Sequence, residues 1–375
     1  MAAPTRSHVE VLGAIGPNWF ASVMGTGIVA NAGATLPVQF PGLRAFVELV
    51  WVFATVLLVV LVVVVGGHWL RHPTSVRSHA RNPQMTHFFG AAPMALLTVG
   101  TGSLLIGRDL IGESAAVSLA WVLWCVGTAL GLYTTVRIPF LMFTQLSVEP
   151  DSAFGGWLMP VVPPMVSAAG GALLIPHAPQ GAVRETLLYG CYAMFGMSLV
   201  AAMIIITMIW SRLMLYGTSG TARVPTLWIV LGPLGQSITA AGLLGVNASL
   251  VVSADLAKVM NSFSIIYGVP VWGFALLWIA LASSLTFRTW RRGMQFALTW
   301  WSLTFPVGTF VTGTTQLAIH TGLPAFKVVA VLAYTGLLTS WLVVSVRTAR
   351  GSLRGNLLAP PPSTGPVKVS KEPAS

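Results

Sequence analysis

The chain has 375 residues, of which 55% are hydrophobic and only 8% charged, with a formal net charge of +11. That balance excludes an ordinary soluble domain. The positive excess alone would suit nucleic acid, so its distribution along the chain has to decide between partners.

Ten apolar runs can be marked, roughly 13–33, 45–66, 85–107, 115–138, 156–176, 186–209, 225–246, 262–286, 295–319 and 326–347. Each is near the roughly 20 residues that a helix needs to cross a bilayer. They predict an all-α integral membrane domain over residues 13–347, with no room left for a separate soluble one. Residues 1–12 are too polar for a signal peptide and read as a cytoplasmic N-terminus. Residues 348–375, with Pro360-Pro361-Pro362 and scattered Ser and Lys, read as a disordered cytoplasmic tail.

The first run holds Gly16-Pro17-Asn18-Trp19-Phe20 and then Met24-Gly25-Thr26-Gly27. The second is almost unbroken Val and Leu from Val56 to Val65, material for lipid contact. A basic loop with His68, His72 and His79 follows, and dispersed histidines in such a loop read as solvated rather than metal-binding. The third run repeats the style of the first with Pro93, Thr98, Gly100, Thr101 and Gly102. Cys125 and Cys191 fall in the fourth and sixth runs and read as buried free thiols. Pro160, Pro163 and Pro164 crowd the fifth, ahead of Ser167 and Gly170-Gly171; Gly232-Pro233-Leu234-Gly235-Gln236-Ser237 opens the polar part of the seventh. The eighth and tenth are smooth except for Pro270, and the ninth carries Trp300-Trp301-Ser302-Leu303-Thr304-Phe305-Pro306.

A proline followed by glycine thus recurs at Pro17, Pro93, Pro164, Pro233 and Pro306, with separations of 76, 71, 69 and 73 residues. A near-constant period marks a repeated supersecondary unit. About 70 residues suits two membrane helices with their loops, so the chain predicts five helical hairpins. Odd runs are broken, glycine-rich and hydroxylated; even runs are mostly plain. Small and hydroxyl-bearing residues belong toward protein or water, and uninterrupted aliphatics toward lipid. The expected arrangement is two concentric rings, with the five odd helices inside, around a quasi-five-fold central pore.

With the N-terminus in the cytoplasm, 15 of the 20 Lys and Arg fall in cytoplasmic segments and 5 on the other side. Membrane insertion imposes such a bias, so the basic excess is topological and no nucleic acid is implied. The expected place is a cell membrane, multi-pass, with both termini cytoplasmic.

No Asp, Glu, Lys or Arg lies in the middle of a run, which disfavours cation pumps and proton relays. A desolvated anion would instead rely on half-helix ends, backbone N–H groups and side-chain donors. The candidate pore-lining residues are Thr26, Thr98, Thr101, Ser167, Gln236, Ser237, Thr304, Thr309 and Thr312, with Gln316 as a further amide. One helix end contributes roughly 0.3–1 kcal/mol, so five together would give weak anion preference with fast release. Phe305, next to the proline break, is expected to stand at the narrowest point and to close the pore sterically.

Asn18-Trp19-Phe20, Met24-Gly25-Thr26-Gly27, the Pro-rich fifth run, Gly232-Pro233-Leu234-Gly235-Gln236 and Trp300-Trp301 with Thr304-Phe305-Pro306 resemble the tellurite-resistance/dicarboxylate transporter family. That family takes in fungal malate permeases, fungal sulfite efflux pumps and plant slow anion channels. The resemblance covers about residues 13–347. It implies ten helices around a pore, homotrimers, small anionic substrates such as malate, sulfite-like ions or halides, no cofactor, and a pore-plugging phenylalanine at the position of Phe305. The Gly-Pro-Leu-Gly-Gln stretch is nearer the sulfite and malate branches, and the plant channels' long phosphorylated tails are missing. The rival readings are an integral-membrane enzyme, which would need His, Asp or Glu at membrane depth, and a non-transporting membrane subunit.

Overall fold

The computed structural model describes residues 16–218, 220–354 and 357. The N-terminal segment 1–12 and most of the tail 348–375 lie outside the described residues. Among those described, the regular structure is entirely helical, with no strand.

We number ten principal helices: α1 (Phe20–Thr35), α2 (Leu43–Arg71), α3 (Ala91–Gly102), α4 (Glu113–Thr144), α5 (Pro163–Leu174), α6 (Ala182–Tyr216), α7 (Leu231–Asn247), α8 (Ala254–Trp290), α9 (Phe305–Thr321) and α10 (Pro324–Leu353). A short helix, Pro73–Arg81, bridges α2 and α3. Seven helical stretches are long and apolar enough to cross a membrane: the five even helices, Thr86–Ile111 around α3, and Gly220–Leu250 around α7. The regular parts of α1, α5 and α9 span 16, 12 and 17 residues, shorter than one crossing by a single helix needs.

Proline explains why the odd helices are short. Pro17 opens a 3-10 turn ahead of α1, while Pro93, Pro164, Pro233 and Pro306 all fall among the first three residues of their helices. Each odd helix follows a 3-10 segment: Pro17–Trp19, Thr86–Gly90, Gly155–Leu158, Val224–Val230 and Leu298–Leu303. Proline lacks the N–H that a first turn leaves unpaired anyway, so it marks where tight 3-10 winding relaxes to α rather than bending a helix midway. The five-fold period in sequence is therefore a five-fold repeat of one local event.

Even helices run past their apolar cores, over 29 to 37 residues. Hydropathy marks only the stretch in hydrocarbon, and the winding continues through flanking residues such as Arg71, Arg288 and Arg347. α10 likewise extends to Leu353, beyond the expected end of the last run.

Burial separates the two sets. The most apolar part of each even helix is at most 33% buried, against 72% around α3 and 89% around α7. In α1, α5 and α9, 14 of 16, 11 of 12 and 13 of 17 residues are buried. Aliphatic and aromatic side chains stand exposed along the even helices, among them Val63, Val136, Phe143, Val200, Ile266 and Leu332. Exposed apolar surface on that scale belongs in lipid. Contacts among the odd helices run from α1 to α3, α5, α7 and α9 and return to α1. Each even helix packs on the odd helix before it and on the next one round, α10 lying on α9 and α1.

Missing side chains permit this closeness. A Cβ at Gly235 of α7 would run into the backbone of Thr309 and Phe310 of α9, and a Cβ at Gly155 would strike the carbonyl of Thr226. Aromatics of the even helices then tie the bundle by donating to oxygens of the odd ones. Trp51 Nε1 donates to the Val99 carbonyl (3.1 Å), Trp124 Nε1 to the Ser167 carbonyl (2.8 Å) and Trp272 Nε1 to Thr314 Oγ1 (3.0 Å). Tyr334 Oη donates to the Val29 carbonyl (3.2 Å). In an apolar medium such donors need partners, and the thin inner helices supply carbonyls within reach. Gly235→Val is expected to destabilise the purified protein by at least about 1–3 kcal/mol through overpacking. Gly66→Val, on α2 with nothing within 4 Å of its Cβ position, should leave the thermal midpoint in detergent within about 2 °C.

Candidate functional site

Two cavities lie inside the bundle, and Phe305 lines both. The larger, about 100 Å³, has walls from all five odd helices: Ile28, Asn31 and Thr35 from α1; Thr98 and Thr101 from α3, with Leu105 beyond; Val166, Ala169 and Leu173 from α5; Gln236, Thr239 and Leu243 from α7; and Phe305, Thr312 and Gln316 from α9. The smaller, about 20 Å³, lies toward the start of these helices, between Ala21, Met24, Phe88, Met94, Met159, Val162, Ile229, Gly232, Leu298, Trp301, Ser302, Phe305 and Pro306. One side of Phe305 is thus amide- and hydroxyl-bearing, the other nearly all carbon and sulfur. Phe305 itself is 3% exposed.

Local structure sets the position of that ring. The 3-10 turn Leu298–Leu303 ends at Thr304 with φ −108° and ψ −75°, and α9 starts on Phe305. Trp301, just before it, donates to Thr348 Oγ1 of α10 at 3.1 Å, and the Arg347 guanidinium lies 5.0 Å from the Trp300 ring centre. The tryptophan pair ties the turn to α10, and Phe305 beside it lines both cavities.

The larger cavity is wired through its own polar groups. Thr239 and Thr312 share a hydroxyl–hydroxyl hydrogen bond of 2.8 Å between α7 and α9. Asn31 Nδ2 donates to the Thr98 carbonyl at 3.0 Å, and its Oδ1 is buried without a partner. Gln236 and Gln316 are 7% and 8% exposed and line the same space. Neither cavity wall carries Asp, Glu, Lys, Arg, His or Tyr. Donors without fixed charge offer an anion hydrogen bonds and little Coulombic trapping. Among the described residues no cluster of His, Cys, Asp and Glu is placed to hold a metal ion.

Of the nine residues singled out in the sequence as pore-lining, Thr98, Thr101, Gln236 and Thr312 stand on the wall of the larger cavity. The other five have contacts between helices or within a turn. Thr26 Oγ1 accepts from Trp341 Nε1 of α10 (3.1 Å), Ser167 Oγ accepts from Thr128 of α4 (2.9 Å), and Ser237 Oγ accepts from Tyr267 of α8 (2.8 Å). Thr304 donates to the Trp301 carbonyl (2.6 Å), and Thr309 to the carbonyls of Leu231 (3.1 Å) and Pro306 (2.7 Å). Composition gives no sign of which face a hydroxyl takes, because in these helices all faces are buried. Asn31, Thr35 and Thr239 also line the cavity and were not anticipated. Asn31 had a legible signal, being a lone amide inside an apolar run.

A bundle of apolar helices with a lipid-type exterior and an uncharged polar chamber inside is a multi-pass membrane protein. More particularly, the chain belongs to the voltage-dependent anion channel family (SLAC1), which it matches over residues 14–349. It is 28% identical over 342 residues to the sulfite efflux pump SSU1 of Trichophyton rubrum, covering 88% of this chain and 89% of that one. It is 26% identical to an uncharacterized transporter of Methanocaldococcus jannaschii, over 91% of this chain and 95% of that one. It is 20% identical to the malic acid transport protein of Schizosaccharomyces pombe, over 92% and 80%.

The placement of hydroxyls has a direct check by thiol labelling. Thr312→Cys and Thr98→Cys, facing the chamber, should react with a small water-soluble thiol reagent at least ten times faster than Thr309→Cys and Ser237→Cys. Equal rates in the two pairs would mean that the chamber wall is drawn wrongly.

Proposed function

We propose that this protein moves small anions across a membrane through a passage along the axis of the odd helices, with Phe305 as the steric gate. In this reading α1, α3, α5, α7 and α9 form an inner ring of quasi-five-fold symmetry and the even helices an outer ring facing lipid. The observation that carries it is the place of Phe305: a buried ring that lines both cavities, with no charged side chain on either wall. Family membership, and relatives named for sulfite efflux and malic acid transport, support the transport of anions.

An aromatic ring at a narrow apolar point closes a pore by filling it and by keeping water out. On the polar side, Asn31, Gln236 and Gln316 offer amide N–H groups, and Thr98, Thr101, Thr239 and Thr312 offer hydroxyls. The first turns after the 3-10 segments add the positive ends of five helix dipoles. Thr304 and Thr309, on either side of the gate, hold its backbone through their hydrogen bonds; Thr26, Ser167 and Ser237 fix the inner helices to the outer ones. Pro17, Pro93, Pro164, Pro233 and Pro306 set the five helix starts. A chamber of about 100 Å³ holds an ion with some of its water. It suits a small inorganic oxyanion such as sulfite, which can enter as singly charged hydrogensulfite, better than a larger four-carbon dicarboxylate, which would bring two charges to a wall with no cation. Both termini are assigned to the cytoplasm by the basic loops, and a homotrimer in the cell membrane follows from family resemblance.

Reconstituted protein tests the gate. Phe305→Ala should fold and raise anion flux in liposomes at least several-fold. Phe310→Ala removes a neighbour that stacks on Trp272 and lines neither cavity, so it should cost stability without raising flux. Unchanged flux in well-folded Phe305→Ala would remove the ring from the gate. Flux of a fully ionised anion such as nitrate should also be flat between pH 6 and 8, since nothing on either wall titrates there. Running sulfite against malate then tests the assigned substrate, and faster malate transport would reverse it.

A further inference from the structure

Away from the central cavities, a cleft of about 380 Å³ opens between the short helix Pro73–Arg81 and the end of α4. Arg77 and Arg81 enter it from the short helix and Arg137 from α4; no Asp or Glu lines it. Arg77 and Arg81 are one helical turn apart, where like charges repel. Among the described residues none of the three arginines makes an ion pair, and of the three only Arg137 lies over an aromatic ring, with its guanidinium 5.8 Å from the Phe140 ring centre. Three guanidinium groups around one opening form a socket for an anion with several oxygens, since their forked donors match phosphate geometry.

The remaining wall says which anion. Val76, Phe89, Leu141 and Leu146 make the floor apolar, and Gln145 is a further polar group. Tyr133 on the rim is 62% exposed, and on the same helix Val136 and Phe143 are 70% and 83% exposed. The cleft therefore opens beside a helix surface that faces hydrocarbon. A soluble anion would have no use for that apolar floor, whereas a phospholipid presents a phosphate and an acyl chain together. Basic pockets beside membrane helices take anionic headgroups for this reason.

We infer that the cleft between Pro73–Arg81 and α4 holds the phosphate headgroup of an anionic phospholipid, with its acyl chain along α4. This assignment needs the chain to lie in a bilayer but does not depend on what it transports.

Native mass spectrometry of the purified full chain is the test, with phosphatidylglycerol and phosphatidylcholine of identical acyl chains as probes. One phosphatidylglycerol should bind at least tenfold more tightly than phosphatidylcholine. The triple change Arg77→Gln, Arg81→Gln, Arg137→Gln should erase that preference, and single changes at the exposed Arg77 and Arg81 should each weaken it about five-fold. The singles decide the matter should the triple variant not fold. Arg288→Gln, Arg291→Gln, Arg292→Gln removes equal charge outside the cleft and should leave the preference intact. Equal binding of the two lipids, a preference that survives loss of the cleft arginines, or equal loss in both triple variants would overturn the site. Displacement of the lipid by millimolar inorganic phosphate would reassign the cleft to a soluble anion and would equally overturn the lipid inference.

Discussion

The structure depends on how near the inner helices come to one another. Gly235 lies against the backbone of Thr309 and Phe310, Gly308 against Ile28, and Gly27 against the Thr98 side chain. In hydrocarbon no hydrophobic force drives helices together, so close van der Waals contact and interhelical hydrogen bonds must do it. Small residues at the inner contacts allow both. They bring odd-helix carbonyls within reach of Trp51, Trp124 and Tyr334 on the even helices, and they keep small the cavities that Phe305 lines. Wider spacing would loosen the outer tethers and open the bore together.

Proline placement answers a second demand of the bilayer. Freed backbone groups there must be met by protein or by enclosed water. Putting the repeated prolines of the odd helices in a first turn, or just ahead of one, removes a donor that the helix would not have paired, and the preceding 3-10 turn satisfies the rest locally. At the ninth helix the Thr304 amide donates to the Trp301 carbonyl (3.1 Å) and the Gly308 amide to the Thr304 carbonyl (2.9 Å). The break thus leaves Phe305 on hydrogen-bonded backbone.

Much of this was legible in the amino-acid order. Helical character, the alternation of broken and plain segments and the 70-residue repeat all follow from apolar runs, prolines and glycines. Helix ends were less legible, because Arg71 and Arg288 continue helices that hydropathy had already closed. The assignment of hydroxyls was hardest. Thr312 and Thr309 are three residues apart, yet one faces the chamber and the other caps the Leu231 carbonyl on the neighbouring helix. Only the angular phase of α9 separates them, and a helix buried all round carries no amphipathic mark of that phase.

The unequal walls of the larger chamber have a consequence for water. α5 contributes only Val166, Ala169 and Leu173, while its neighbour α7 and the next helix α9 contribute Gln236, Thr239, Thr312 and Gln316. Hydration gathers along the donors and thins over the aliphatic face. In the passage proposed above, the chamber would act as a gutter more than a pipe: an ion would travel off-axis in a half-shell of water, with its bare side against carbon. Its usable cross-section is smaller than its outline, and a change on α5 alone would alter the depth of that channel while leaving every donor in place.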